Sequence, residues 1–298
     1  MKKRIGVLID SSCTYDESFI KKHEIEIIPL TFSNEKNQVY DDDNKSITRD
    51  KLLESLDQKK IFKTSATPIG KLISKIEKML EKYEQVIFLP ISIGLSSQYM
   101  QSLIAQQDFS GKFFPIRSTS AAAANEFILY RIIELIQTNK SIDEIINTAE
   151  NLYKSIDTYF SCEDLSGMSS GGRVTKTIMK VIKLFKLKPI IQLDNKNQYG
   201  GVGKNYQTII KKIIKSINED FNHQLTANTI KHVAVYYSGY SEEKKNNILS
   251  SVAQGFKIPR ENILVRWVPN AILIHAHRGA YGISVETTIQ RKIKIMEE

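Results

Sequence analysis

Cysteine is scarce in this chain: Cys13 and Cys162 are the only two among 298 residues. They form neither a disulfide framework nor a thiolate metal spacing, which suits a reducing compartment such as the cytoplasm. No apolar run approaches the roughly 20 residues needed to cross a bilayer. The opening Met1-Lys2-Lys3-Arg4, followed by apolar residues, superficially resembles a secretory signal. Asp10 interrupts that run early, so the segment reads as a first strand. The glycine-rich phosphate loop ending in Lys is missing, and so is G-x-G-x-x-G, which argues against a nucleotide cofactor. Asp41-Asp42-Asp43-Asn44 has neither the glycine nor the closing glutamate of a calcium loop and reads as a solvated turn. There is no internal repeat and no low-complexity linker.

What is present is an ordinary globular composition, with 41% hydrophobic and 25% charged residues. The net charge of +9 comes from lysines spread along helices, without aromatic-interleaved basic blocks. That pattern points away from a specific nucleic-acid role and leaves an anionic membrane surface or an acidic partner open. The first half alternates short apolar runs with amphipathic stretches. Strands are predicted over 4–9, 25–32, 85–91 and 112–116, and helices over 15–22, 49–57, 69–83, 97–107, 121–137 and 142–155. Ser141 with Glu144 forms a capping box. This order implies an N-terminal three-layer α/β/α domain with a parallel sheet, assigned to residues 1–160. In the second half, strands over 158–162, 188–193, 232–237, 263–267, 271–275 and 281–285 come in a less regular order. Helices are expected over 175–185, 207–221 and 242–254. The short Pro269-Asn270 link suggests antiparallel pairing, and residues 161–298 read as a C-terminal α/β domain with a mixed sheet.

In such a sheet, ligands bind beyond the carboxyl ends of the strands. Four hydroxyl-rich loops sit there: Asp10-Ser11-Ser12, Thr64-Ser65-Ala66-Thr67, Ser92 to Ser97, and Arg117-Ser118-Thr119-Ser120. Each precedes a predicted helix, so hydroxyls, backbone N–H groups and the helix dipole suit a carboxylate or a single phosphate. Each loop taken singly reads more readily as helix capping, Thr67 before Pro68 above all, and the case for a site comes from four of them at one sheet end. Arg173 follows Gly171-Gly172, where a guanidinium can meet an anion in a bidentate way or simply face solvent in a turn. His275 and His277, two apart on a predicted strand, would share a face, but no third ligand makes them a metal site. Gly167-Met168-Ser169-Ser170-Gly171 matches the nucleophile elbow G-x-S-x-G, with Asp194 and His275 in serine-hydrolase order. The motif begins several residues past its strand, whereas an elbow turns directly from strand to helix. A hydrolase therefore stands as the alternative reading.

Together these segments resemble the DegV family over nearly the whole chain. Ile9-Asp10-Ser11-Ser12 is similar to the family's first strand end, and Pro29-Leu30 followed by Tyr40-Asp41-Asp42 to its "PL…Y-x-D" segment. Lys63-Thr64-Ser65 matches "TS", and Ser92 through Tyr99 resembles "LSSxLSGTY". Gly171-Gly172-Arg173 matches "GGR", Lys188-Pro189-Ile190 matches "KPI", and His275 with Gly279 to Gly282 resembles "HxGPGAxG". The resemblance implies a non-enzymatic bacterial protein that binds one long-chain fatty acid as its only ligand, with no cofactor and no catalytic residue. It implies that Thr64 and Ser96 hold the carboxylate, with Ser65, Ser97, Arg173 and His275 near the head group. It further implies a role in phospholipid synthesis as the acyl-binding subunit of a fatty acid kinase. The carboxyl would be presented to a separate ATP-dependent subunit and the acyl phosphate held afterwards. Ser97-Gln98 stands in place of the family's "GT", Ala66-Thr67-Pro68 in place of "QP", and Arg117 in place of an Asp. His277-Arg278 stands in place of "GP", adding bulk and charge near the expected mouth. A binding protein of this kind leaves Ser169 unlabelled by a covalent serine probe; labelling would favour the hydrolase.

Overall fold

The computed structural model describes residues 3–163, 187–195, 197–239 and 241–292. The first apolar run forms β1 (Lys3–Asp10), whose last six residues are all buried. A strand covered on both faces needs apolar residues at every position, as a central parallel strand does. It is flanked in parallel by β2 (Glu26–Ile28) and β6 (Tyr83–Leu89), and β7 (Phe113–Pro115) closes the order β2-β1-β6-β7. Alternate side chains leave the sheet on opposite faces. Val86 and Phe88 pack with Leu72, Ile76 and Ala105 from α3 (Ile69–Leu80) and α4 (Gln98–Asp108). Ile87 and Leu89 join a different core with Phe127 and Ile128 of α5 (Ala123–Gln137). Helices thus cover both faces.

The single strand expected over 25–32 is two. Pro29 has no N–H to contribute to a ladder, and the chain changes sheets there. After β2 it continues as β3 (Thr31–Asn34), the centre of a separate antiparallel sheet between β4 (Val39–Asp41) and β5 (Phe62–Ser65). These two outer strands were not foreseen, being only three and four residues long and largely exposed. Helix α1 (Glu17–Lys22) precedes both in sequence, and α2 (Arg49–Asp57) lies between them. The capping box of Ser141 and Glu144 is present at the start of α6 (Ile142–Leu152).

The later strands build a six-stranded sheet. Its members are β8 (Ile156–Ser161), β9 (Lys188–Gln192), β10 (Gln198–Gly203), β11 (Ile230–Tyr237), β12 (Ile263–Trp267) and β13 (Tyr281–Thr287), in the order β10-β9-β8-β13-β11-β12. It is mixed: β12 runs parallel to β11 and every other pairing is antiparallel. Helices α7 (Tyr206–Asp220) and α8 (Glu242–Phe256) bury isoleucines and Phe256 against it. The fold is α/β, as expected. One element differs in kind: residues predicted as a strand over 271–275 form the short helix α9 (Asn270–Ala276). A five-residue apolar run has no decisive period. Here Pro269 presets the turn, and its carbonyl accepts N–H bonds from Ile272 and Leu273. His275 and His277 therefore share no strand face; His277 caps the helix at φ 57°. The helix expected over 175–185 lies outside the described residues. No described helix is long and apolar enough to cross a membrane.

The main core joins both halves of the chain, from Ile5 and Phe127 to Tyr236 and Leu273. One buried ion pair locks them further. Arg266 on β12 meets Glu126 on α5 in a two-pronged contact, Nε to Oε2 at 3.0 Å and Nη2 to Oε1 at 2.6 Å. Thr14 adds a hydroxyl donor at 2.6 Å, and the Tyr130 hydroxyl donates too. Glu126 is fully buried. Arg266→Ala strands that carboxylate, so urea unfolding should show a loss of about 3–5 kcal/mol.

Candidate functional site

A cavity of about 400 Å³ opens where these layers meet, walled by both halves of the chain. Leu30, Ile91, Leu95, Phe160, Leu193 and Ile272 are among its apolar walls. Its polar lining comes from Thr64 and Ser65 at the end of β5, Ser96 and Ser97 in the loop before α4, Gln101 on α4, Asn197 just before β10, and His275 on α9. Five of the six residues implicated by sequence thus line one cavity. The sixth, Arg173, lies outside the described residues, as do Ser169 and the G-x-S-x-G motif.

Thr64 is brought to the cavity by β5, where it stands opposite Phe32 of β3. Its Oγ1 lies 2.8 Å from His275 Nε2. Ser96 Oγ accepts the Gln98 N–H at 3.2 Å and keeps its own O–H to donate. Its loop is held by N–H bonds from Leu95 and Ser96 to the Ser92 carbonyl and from Ser92 to the Ser120 carbonyl. Gly94 lies tight against the later half of the chain, since a Cβ there would sit 2.6 Å from the Asn195 carbonyl oxygen.

The expected capping roles hold only in part. α3 begins at Pro68 with no side-chain cap. Thr67 instead turns its hydroxyl to the Pro29 carbonyl at 2.8 Å and its N–H to Gln98 Oε1 at 2.8 Å. Gln98 Nε2 returns a bond to Thr67 Oγ1 at 3.2 Å. Gln98 is fully buried, so this amide bolts the Thr64–Thr67 segment to the Ser96 loop. Sequence reading noted Gln98 only as a departure. Its role was not visible, because the two loops it joins are 31 residues apart.

The other two hydroxyl-rich loops do not reach the cavity. Asp10 accepts the Ser12 N–H and O–H at 3.0 and 2.5 Å and the Ile91 N–H at 2.6 Å, tying the end of β1 to the end of β6. Burial pushes its carboxyl up to about 6 despite these donors. Ser11 donates to Asp42 Oδ2 at 2.8 Å, and Ser118 donates to the Ser120 carbonyl at 3.0 Å. Those hydroxyls are committed to structure. His277 and Arg278 do not line the cavity either, and Arg278 pairs with Asp57 at 2.9 Å. Asp194, the second member of the hydrolase order, is bound by Arg291 at 2.8 Å. No group of three or more His, Cys, Asp or Glu side chains is placed to hold a metal among the described residues.

The arrangement combines hydroxyls, an imidazole and two amide side chains with apolar walls, complementary to a small polar head on an apolar body. Comparison with known proteins places it further. Residues 4–288 match the family model described as an uncharacterised protein of the DegV family. A DegV domain-containing protein of Ureaplasma parvum is 30% identical over 292 residues, covering 98% of each chain. Protein DegV of Bacillus subtilis is 26% identical over 283 residues, covering 94% of this chain and 98% of its own. Among solved structures, a fatty-acid-binding DegV family protein from Thermus thermophilus superposes with a TM-score of 0.83 at 22% identity, covering 95% of this chain and 99% of its own. A stearic-acid-binding protein from Eubacterium ventriosum gives a TM-score of 0.81 at 20% identity, with 96% and 98% coverage. Removing the Gln98 amide leaves the buried Thr67 N–H without its acceptor. Gln98→Ala is expected to cost about 1–3 kcal/mol in thermal or urea unfolding.

Proposed function

The chain belongs to the DegV family, and from that premise we propose that its cavity holds one long-chain fatty acid, head toward Thr64 and tail among the apolar walls. The observation that carries this reading is that Thr64, Ser96 and His275 line one cavity together with Leu30, Ile91, Leu95, Phe160, Leu193 and Ile272, with Thr64 Oγ1 2.8 Å from His275 Nε2. Burial of each methylene is worth about 0.8 kcal/mol, so a long acyl chain offers on the order of 10 kcal/mol before ordering costs. The tail therefore supplies affinity. The hydroxyls and the imidazole orient the carboxylate and reject chains without one. Ser65 and Ser97 stand beside them at the rim, and Arg173 completes the head-group set in this reading.

In this reading the carboxyl lies toward the mouth of the cavity, where another protein can act on it. We therefore read the chain as a non-catalytic, cytoplasmic subunit that presents the carboxyl to a separate ATP-dependent fatty acid kinase. It then keeps the acyl phosphate until it is used in phospholipid synthesis. Arg173 and His275 would steady the added charge of the phosphate. A net charge of +9 favours brief contact with an anionic membrane, where the acyl chain is picked up. In this reading residues 1–160 form the domain that carries the carboxylate-binding loops, and residues 161–298 form the domain that shapes the acyl tunnel.

Denaturing the purified protein, extracting it with organic solvent and weighing the extract by mass spectrometry should release close to one fatty acid per chain. The double change Thr64→Ala, Ser96→Ala should lower retention by about tenfold or more, the scale of one or two lost hydrogen bonds to a charged group. An empty wild-type protein that also fails to take up added fatty acid would overturn the reading.

A further inference from the structure

We propose that Asp42 is a positioning residue for the head-group end of the cavity: its carboxylate clamps the first turn of α9, so that His275, four residues beyond Ala271, meets Thr64. The inference rests on the fatty-acid reading for its consequence, although the clamp itself is a matter of geometry.

Helix α9 has only seven residues. A helix that short has almost no stability of its own, and its place is set by tertiary contacts. Its capping residue, Pro269, supplies no side-chain bond to the exposed N–H groups of the first turn. That need is met from outside. Asp42 Oδ2 accepts the Ala271 N–H at 3.2 Å, from a residue that is only 6% exposed. The clamp is anchored at its base. The same oxygen accepts the Ser11 hydroxyl at 2.8 Å, Ser11 Oγ accepts the Leu30 N–H at 3.0 Å, and the Asp42 N–H donates to the Leu30 carbonyl at 2.8 Å. Asp42 is thus tied to the end of β1 and to Leu30, itself a cavity wall. A second contact reaches the same turn, where Arg49, stacked over Trp267 at 5.2 Å, donates Nε–H to Asn270 Oδ1 at 3.3 Å.

Asp42 works through the helix, not on the cavity. It opens onto a separate cleft together with Arg49, Trp267 and Asn270, whereas Ala271, Ile272, His275 and Ala276 line the cavity. Burial raises its carboxyl to about 6, and two hydrogen bonds to Oδ2 in a buried setting leave the side chain little freedom. Releasing Ala271 frees the root of the helix and, one turn on, the ring that faces Thr64.

The test compares palmitic acid with its methyl ester on delipidated protein, using displacement of a fluorescent fatty acid. The two ligands share a tail and differ only at the head. Wild-type protein should prefer the acid, and Asp42→Ala should reduce that preference by about tenfold, the scale of one charge-assisted hydrogen bond. Ester binding should be nearly unchanged. Asp42→Asn, which keeps an acceptor oxygen but no charge, should fall between them, and it decides the matter if Asp42→Ala does not fold. An unchanged acid-to-ester ratio, or equal loss of both ligands, would overturn the assignment. Hydrogen exchange at the 270–276 amides reads the clamp without lipid: it should quicken in the variants while the 281–287 strand keeps its protection. Wild-type protein that binds neither ligand would count against the fatty-acid reading, while slow exchange in the variants would count against the clamp.

Discussion

A hydroxyl kept from water is costly unless it is paired, and the chemistry of this cavity depends on the few hydroxyls that reach its lining instead of fastening its loops. Ser11, Ser12 and Ser118 spend theirs on Asp42, Asp10 and the Ser120 carbonyl, fastening loops to strand ends. Thr64 meets His275 across the gap between two distant parts of the chain, and Ser96 accepts a single N–H from Gln98. Loops of similar composition therefore have different uses. The difference lies in which donors and acceptors the packing leaves unspent.

Holding those groups in register takes a scaffold stiffer than any one loop. Gln98 joins the Thr64–Thr67 segment to the Ser96 loop, Asp10 joins β1 to β6, and Glu126 with Arg266 joins α5 to β12. Each contact bridges residues far apart in sequence and sits away from water, where an unmade bond is costly. The apolar walls follow from the same layering. Leu30 and Ile91 leave the ends of the early strands, Phe160 and Leu193 come from the six-stranded sheet, and the space between them is the cavity.

The family is shown by a match over residues 4–288 and by a relative 30% identical over 292 residues, whereas the cavity is a matter of where side chains meet in space. Solved relatives described as binding fatty acids share this fold at 20–22% identity.

Much of the architecture was legible in the residues. Apolar runs of the right length marked β1 and β6, an amphipathic pattern marked α2, a capping box marked α6, and the motif order identified the family and nominated Thr64, Ser96 and His275. Local pattern carries that information because strands and helices repeat over a few residues. The break at Pro29, the outer strands β4 and β5, and the helical state of residues 270–276 were missed. They depend on partners distant in sequence, as short apolar segments take whichever form their neighbours stabilise. Sequence alone determined which hydroxyls and which imidazole were available. Only the tertiary structure decided which of them face one cavity, because a hydrogen bond or a shared wall is a matter of distance in space, and the residues concerned lie up to 211 positions apart.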